Sequence, residues 1–393
     1  MKKVSKAFTA SVLSMSLLTV MAGAAVAPAL GIIKTHFSQV PDTLMQFIIS
    51  MPALFIILTN LVFDRLCQWV KTKTLALIGL SLYICCGAIP FFLNDIYVIL
   101  VFRALLGVSV GIIMPLSTGL LAFYYPPEKQ ASLMGLSAAM NQMGGVVATL
   151  LAGVLANVAW NYAFLVYLLG LIAVVLVLCF LPNERIVSSQ KETVKMGPML
   201  KRFHAPIVGM FLCMSLFFVY PGNFALISHR QTSLSNNAIT LIMVGLDGVA
   251  FAVGLIFGRL MKRGGRGLKY VAPLGFLAGY LVMAFSCRTG ALLIGSAFIG
   301  IANGVGVPYL NTIASMQGGR NAATTVMPLV SASLYLGQCL SPIYISALGS
   351  GLLPSLPTAP YVCAAAFSLL YLGFTAFTAA PHRQPLSAAP TRR

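Results

Sequence analysis

Acidic residues are nearly missing from this chain: 7 Asp and Glu stand against 25 Lys and Arg in 393 residues. Charged residues together make up 8% of the sequence, where a soluble domain carries roughly 25%. A soluble globular protein is therefore excluded. No Walker-type glycine-lysine motif occurs, which argues against direct drive by ATP. The four histidines, His36, His204, His229 and His382, fall at or beyond the ends of apolar segments and not beside buried serine and acid partners, so an enzyme active site is not expected. Eight cysteines show no CxxC spacing and no Cys/His cluster, which removes the usual grounds for a metal centre or redox cofactor. Gly264, Gly265 and Gly267 flank Arg266 with no strand before them, and read as a flexible connector instead of a phosphate cradle.

What the chain does have is apolar length. Hydrophobic residues make up 59% of it, and twelve segments come near the ~20 residues that a hydrocarbon core requires. They are Ala7–Ile33, Leu44–Phe63, Leu75–Leu93, Ile96–Tyr124, Ala131–Val158 and Tyr162–Leu181, then Ala205–Ile227, Ala238–Leu260, Tyr270–Phe285, Ala291–Ile313, Ala322–Leu348 and Pro360–Ala379. The fold expected is all-α and polytopic. The +18 net charge would fit nucleic acid if the basic residues were spread over one surface, but they gather in every second loop. With the N-terminus inside, twenty-one Lys and Arg become cytoplasmic and only Lys34, Arg230 and Arg288 lie outside, with Arg103 within a span. The positive-inside rule then sets both termini in the cytoplasm. No nucleic-acid partner is expected. The first thirty residues also fit a secretory signal, with small residues at Ala24 to Ala27, but cleavage would invert the charge pattern, and we read them as the first span.

The segments fall into two sets of six. Asn183 to Phe203 is the longest polar stretch and separates them. The domains expected are an N-terminal six-helix bundle over residues 1–182, a cytoplasmic central loop over 183–204, a C-terminal bundle over 205–380 and a cytoplasmic tail over 381–393. A repeat supports this division. Gly107, Gly111 and Pro115 return 193 residues later as Gly300, Gly304 and Pro308, and small residues four apart let membrane helices pack closely. Phe63-Asp64-Arg65-Leu66 likewise matches Phe257-Gly258-Arg259-Leu260, and Met143-Gly144 matches Leu336-Gly337. Parallel repeats of this kind hold a solute site between halves that rock against each other.

Over essentially its whole length the chain resembles a major facilitator superfamily transporter. Asp64-Arg65, with Lys71 and Lys73 beyond, resembles the family's motif between spans two and three, with Asn60 and Cys67 where glycines are usual. Arg103 with Gly107, Gly111 and Pro115 resembles the fourth-span motif of its proton-coupled antiporters. Met143-Gly144-Gly145 is similar to the fifth-span antiporter motif but lacks its Gly-Pro pair. Trp160-Asn161-Tyr162-Ala163-Phe164 resembles the Trp-Arg-x-x-Phe start of span six in drug/proton antiporters, with Asn161 in place of arginine. The resemblance implies two pseudo-symmetric six-helix bundles, and it implies that Asp64 and Arg65 form a conformational latch against the start of span eleven at Asn321 and Ala322.

Arg103 and Asp247 are the two charged residues placed well inside spans, at depths that differ by only ~3 to 4 Å at ~1.5 Å per residue. A charge there is costly and needs a partner or an aqueous cavity. The functional reading makes Asp247 the proton carrier and Arg103 its modulator, and the alternative is a permanent structural ion pair. Polar side chains mark an expected substrate cavity: Tyr335 and Gln338 in span eleven, Gln142 opposite Tyr335 by the repeat, Asn303 in span ten, and Tyr220 with Asn223 in span seven. Interhelical hydrogen bonding is the competing reading for each of these.

These features together predict a secondary active transporter of the plasma membrane, in a bacterium the inner or cell membrane, working by alternating access. Its partners would be a small organic solute, protons and the lipid bilayer, with the protein a monomer. Proton-driven efflux is the first expectation, proton-linked uptake or uniport of a metabolite the alternative, and a transport-inactive sensor or scaffold the rival of another class.

Overall fold

The computed structural model describes residues 6–125, 127–184, 203–286, 288–318 and 326–378, and among these the structure is helical with no strand. Twelve spans can be followed. The first half consists of α1 (Lys6–Ala24, resumed as Leu30–His36), α2 (Asp42–Trp69), α3 (Thr72–Ala88), α4 (Ile96–Tyr124), α5 (Pro127–Leu155) and α6 (Gly170–Phe180, entered through the tighter helical stretch Trp160–Leu169). The second consists of α7 (His204–Gln231), α8 (Asn236–Gly264), α9 (Val271–Phe285), α10 (Thr289–Gly318), α11 (Met327–Ser341, continuing through Pro342–Ser346 to Leu352) and α12 (Ala359–Phe377). Ten of them are long and apolar enough by themselves to cross a membrane. The remaining two are α5, whose N-terminal part is polar, and α11, which is interrupted by a π-helical turn at Pro342–Ser346.

The two halves pack by one plan. Span pairs α1/α5, α2/α4, α3/α4 and α3/α6 recur as α7/α11, α8/α10, α9/α10 and α9/α12. The halves touch through α5 against α8 and α2 against α11, a pair of contacts that also exchange under the repeat.

Glycine decides how closely α4 and α10 approach their neighbours. A Cβ on Gly107 would overlap the backbone of Pro52 in α2, and one on Gly111 would sit 2.6 Å from Cβ of Thr59. In the second half a Cβ on Gly300 would come within 2.7 Å of the Leu246 carbonyl oxygen in α8, and one on Gly304 within 2.7 Å of that of Ala250. Pro115 and Pro308 lie inside these two helices, one turn beyond the glycines. Backbone contact of this kind takes the place of a hydrophobic drive, because lipid tails are as apolar as the side chains they surround.

Prolines also break the spans where function is expected. Pro28 lies in the interruption between the two parts of α1, and Pro52 and Pro221 lie inside α2 and α7. Each removes a backbone donor and frees a carbonyl four residues earlier, or ends the helix, and each freed oxygen must find another donor in a medium without water.

Candidate functional site

The freed carbonyls explain Arg103. Pro52 has no N–H to give to Ile48, and the Nε of Arg103 donates to that Ile48 carbonyl at 2.5 Å. Ala22 lies in the last turn of the first part of α1, and its carbonyl accepts from Arg103 Nη2 at 2.7 Å. The remaining guanidinium nitrogen, Nη1, donates to the Tyr167 hydroxyl at 2.5 Å, and that hydroxyl also donates to the Ala22 carbonyl at 3.0 Å. A cation at the C-terminal end of a helix is favoured by its dipole. Arg103 is fully buried, and three uncharged acceptors hold it where a carboxylate was expected. Among the described residues no ion pair joins it to Asp247.

The second half has a neutral version of the same cluster. Tyr280 and Tyr361 stack there with ring centroids 6.0 Å apart, as Tyr83 and Tyr167 meet in the first half. Ser296 occupies the repeat position of Arg103 and bonds Tyr220 at 2.8 Å. The Tyr280 hydroxyl donates to the Leu216 carbonyl.

Contacts between the halves gather toward the face that carries the connections α1–α2, α5–α6 and α7–α8. There Arg230 makes a bidentate pair with Asp42 at 2.6 and 2.8 Å, and Lys34 stands 3.6 Å from the same carboxylate. Asn157 donates to Asn237 at 2.6 Å, and Asn236 donates to the Gly153 carbonyl at 2.7 Å. His229 fills the space over Gly31. Deeper in, Gln46 of α2 donates to Asn223 of α7 at 2.8 Å, Gln338 of α11 lies 3.4 Å from the Ile49 carbonyl, and Tyr335 meets the Met114 sulfur at 2.8 Å.

α5 and α8 meet closely where Gly153 faces Thr240. Helical periodicity places Thr240, Asp247, Gly254 and Gly258 on one face of α8. Thr240 packs on Gly153, whereas a Cβ on Gly254 or Gly258 would meet nothing within 4 Å. Gly153 and Gln142 share a face of α5 in the same way, and Gln142 is exposed while its neighbour Asn141 accepts from Thr19 at 2.9 Å. Asp247 lies about two turns from Thr240 on this face of α8. It is half-buried and has no hydrogen bond or ion pair among the described residues.

The expected cavity residues therefore divide. Asn223, Gln338 and Tyr335 lie where the halves join, Gln142 is exposed on α5 and Asp247 half-buried on α8, and Tyr220 is buried in the second half against Ser296. Asn303 is half-buried in α10, with its Oδ1 enclosed and without a partner. Gln46, Asp42 and Arg230 were not singled out by sequence reasoning. Gln46 occupies the repeat position of Thr240, and both are contact residues between halves, which is the signal that would have marked it. Arg65 is exposed, while the Asp64 side chain and its expected partners Asn321 and Ala322 lie outside the described residues.

Two six-helix halves packed by one plan and joined through α5 against α8 and α2 against α11 have the architecture of a membrane transporter. The chain belongs to the Major Facilitator Superfamily, whose model matches residues 12–342. Its fold is similar to that of the nucleoside transporter NupG, with TM-score 0.71 and 13% identity over 94% of this chain and 98% of that one. It is also similar to a bacterial homolog of the human lysosomal transporter Spinster. The inward-facing occupied form gives TM-score 0.72 and 14% identity over 93% of this chain and 95% of the other, and the unoccupied form gives 0.70 and 15% over 95% of each. At these identities the likeness is one of fold. No curated protein sequence matches the chain.

Proposed function

We propose that the protein exports a small organic solute across the plasma membrane in exchange for protons, with both termini in the cytoplasm and Asp247 as the proton-carrying group. One observation carries this reading: Asp247 is half-buried within a span, on the face of α8 that meets the other half at Thr240, with no hydrogen bond or ion pair among the described residues. In that position it meets solute and protons alike, and its charge is free to change without breaking an ion pair. With the termini inside, the Asp42–Arg230 pair and the Asn157–Asn237 bond belong to an outer closure. Gln142, Asn223, Asn303, Tyr335 and Gln338, together with Tyr220 behind them, form the solute-binding surface once the closure relaxes. Arg103 supports coupling indirectly, by holding α1 and α2 in shape. The protein works as a monomer, since each chain contains both halves of the site.

Thermal shifts across a metabolite and drug library identify a ligand, because a compound that binds the folded state raises its apparent stability. Flux in proteoliposomes then tests the coupling. An inwardly directed proton gradient is expected to drive that ligand out against its own gradient, and Asp247→Asn is expected to abolish this drive while leaving solute exchange intact. Full gradient-driven export by Asp247→Asn would remove Asp247 from the mechanism. Accumulation along the proton gradient would replace antiport by symport.

A further inference from the structure

Away from the contacts between halves, one face of α8 stands free along the length of the span. Leu241, Gly245, Gly248, Ala252 and Leu255 fall within a stripe about 100° wide at helical periodicity, and all five are exposed. A Cβ added at Gly245 or Gly248 would meet nothing within 4 Å, so no neighbouring helix covers this stripe. The face that carries Thr240 and Asp247 lies about a third of a turn away. Arg259, Lys262 and Arg263 continue the stripe to the end of the helix, and all three are exposed. From Leu241 to Arg259 the rise is about 27 Å at about 1.5 Å per residue, close to the roughly 30 Å of a hydrocarbon core. The stripe thus crosses the apolar layer as Leu, Gly and Ala and turns basic at the depth of the headgroups.

These cations have no anion of their own. Asp247 is the only acid after Glu192 in the sequence, and the ion pairs among the described residues are those of Asp42. Lys269, farther along the connection, is spent on main chain: its Nζ donates to the Thr375 carbonyl at 2.6 Å and to the Thr378 carbonyl at 2.9 Å, at the end of α12. The repeat makes the lack specific to this half. Phe63-Asp64-Arg65-Leu66 in the first half becomes Phe257-Gly258-Arg259-Leu260 in the second, so glycine replaces the carboxylate beside the arginine. A Cβ at Gly258 would meet nothing within 4 Å, and packing does not account for the exchange. We propose that this face of α8 binds an anionic phospholipid, with its phosphodiester among Arg259, Lys262 and Arg263 and an acyl chain along Gly245, Gly248 and Ala252. With the termini inside, the lipid belongs to the cytoplasmic leaflet. Arginine presents a planar fork to phosphate oxygens, and lysine reaches headgroup depth while its stem stays in apolar surroundings. Basic clusters beside a span draw anionic lipid by charge. The site holds the end of the helix that carries Asp247, and it stands whatever the solute, the direction of transport or the coupling ion.

Native mass spectrometry of the full-length protein, released from nanodiscs of equimolar phosphatidylglycerol and phosphatidylcholine with matched acyl chains, reads the preference. A phosphatidylglycerol is expected to stay bound at about tenfold over its share of the bilayer. The triple change Arg259→Gln, Lys262→Gln and Arg263→Gln is expected to bring the two lipids to parity. Removing the same charge from the tail, by Arg383→Gln, Arg392→Gln and Arg393→Gln, is expected to leave the enrichment unchanged. Gly258→Asp, which restores the pattern of the first half, is expected to weaken it severalfold by supplying an anion within the chain, so that a folding defect in the triple variant does not decide the matter. No enrichment in the parent protein, or full enrichment in the triple variant, would overturn the site. Equal loss in the tail variant would replace it by diffuse attraction of the whole basic face. Displacement of the lipid by excess inorganic phosphate would give the three cations to a soluble anion and refute a lipid site.

Discussion

If Arg103 is held by the carbonyl that Pro52 frees, its loss should cost less when that proline is absent. Arg103→Met removes three hydrogen bonds, but the oxygens are not left equally exposed to the loss. The Ala22 carbonyl keeps its bond from the Tyr167 hydroxyl at 3.0 Å, whereas the Ile48 carbonyl loses the donor given to it at 2.5 Å. An unsatisfied buried acceptor costs about 1–3 kcal/mol, and relief from burying a cation offsets part of the other losses. The net destabilisation expected is therefore about 2 kcal/mol, toward the upper end of polar couplings measured inside membranes. Pro52→Ala supplies an N–H to Ile48 within α2 itself. In that background Arg103→Met should cost about 1–2 kcal/mol less, a coupling large enough to resolve in a double-mutant cycle of reversible unfolding in mixed micelles. An equal cost in both backgrounds would refute the link between Pro52 and Arg103. Arg103→Lys should recover only part of the loss, because an ammonium lacks the planar fork that spans Ile48, Ala22 and Tyr167.

Asp247→Asn should uncouple transport from the pH gradient, as set out above, with proteoliposome flux as the readout. Arg230→Asp should loosen the closure at the α1–α2 and α7–α8 connections and the double change Asp42→Arg with Arg230→Asp should restore it; because the pair is partly exposed, the shift in spin-label distances should correspond to about a fivefold change in population at most. Gly300→Leu should destabilise the fold strongly by forcing α10 away from α8, whereas Gly373→Leu, where a Cβ meets nothing within 4 Å, should be tolerated, as measured by thermal unfolding. Cysteine labelling should find Lys195 and the tail beyond residue 381 on one side of the membrane, and a tag at Arg393 reachable only from outside would overturn the charge-based orientation.

Composition and periodicity made the architecture legible. Twelve apolar segments, glycines repeated at one spacing in α4 and α10, and a single long polar stretch specify an all-α membrane protein of two related halves, because a bilayer admits few other solutions for a chain with so little charge. The same reasoning brought Asp247 to notice, since an acid at that depth has few structural excuses. What the linear pattern did not contain was partnership. Similar depth made Arg103 and Asp247 a plausible pair, yet among the described residues no ion pair joins them, and depth along a helix carries no information about the angle at which a side chain leaves it. Arg103 instead answers two main-chain oxygens, which have no letter in a sequence and become acceptors only through Pro52 and the break in α1. Gln46 joins Asn223, and Asp42 joins Arg230, across an interface that exists only when two halves distant in sequence are docked. The sequence by itself thus determined which groups the membrane would make costly. Tertiary packing decided which of them are satisfied, Arg103 by main-chain oxygens and Asp247 by no hydrogen bond or ion pair among the described residues.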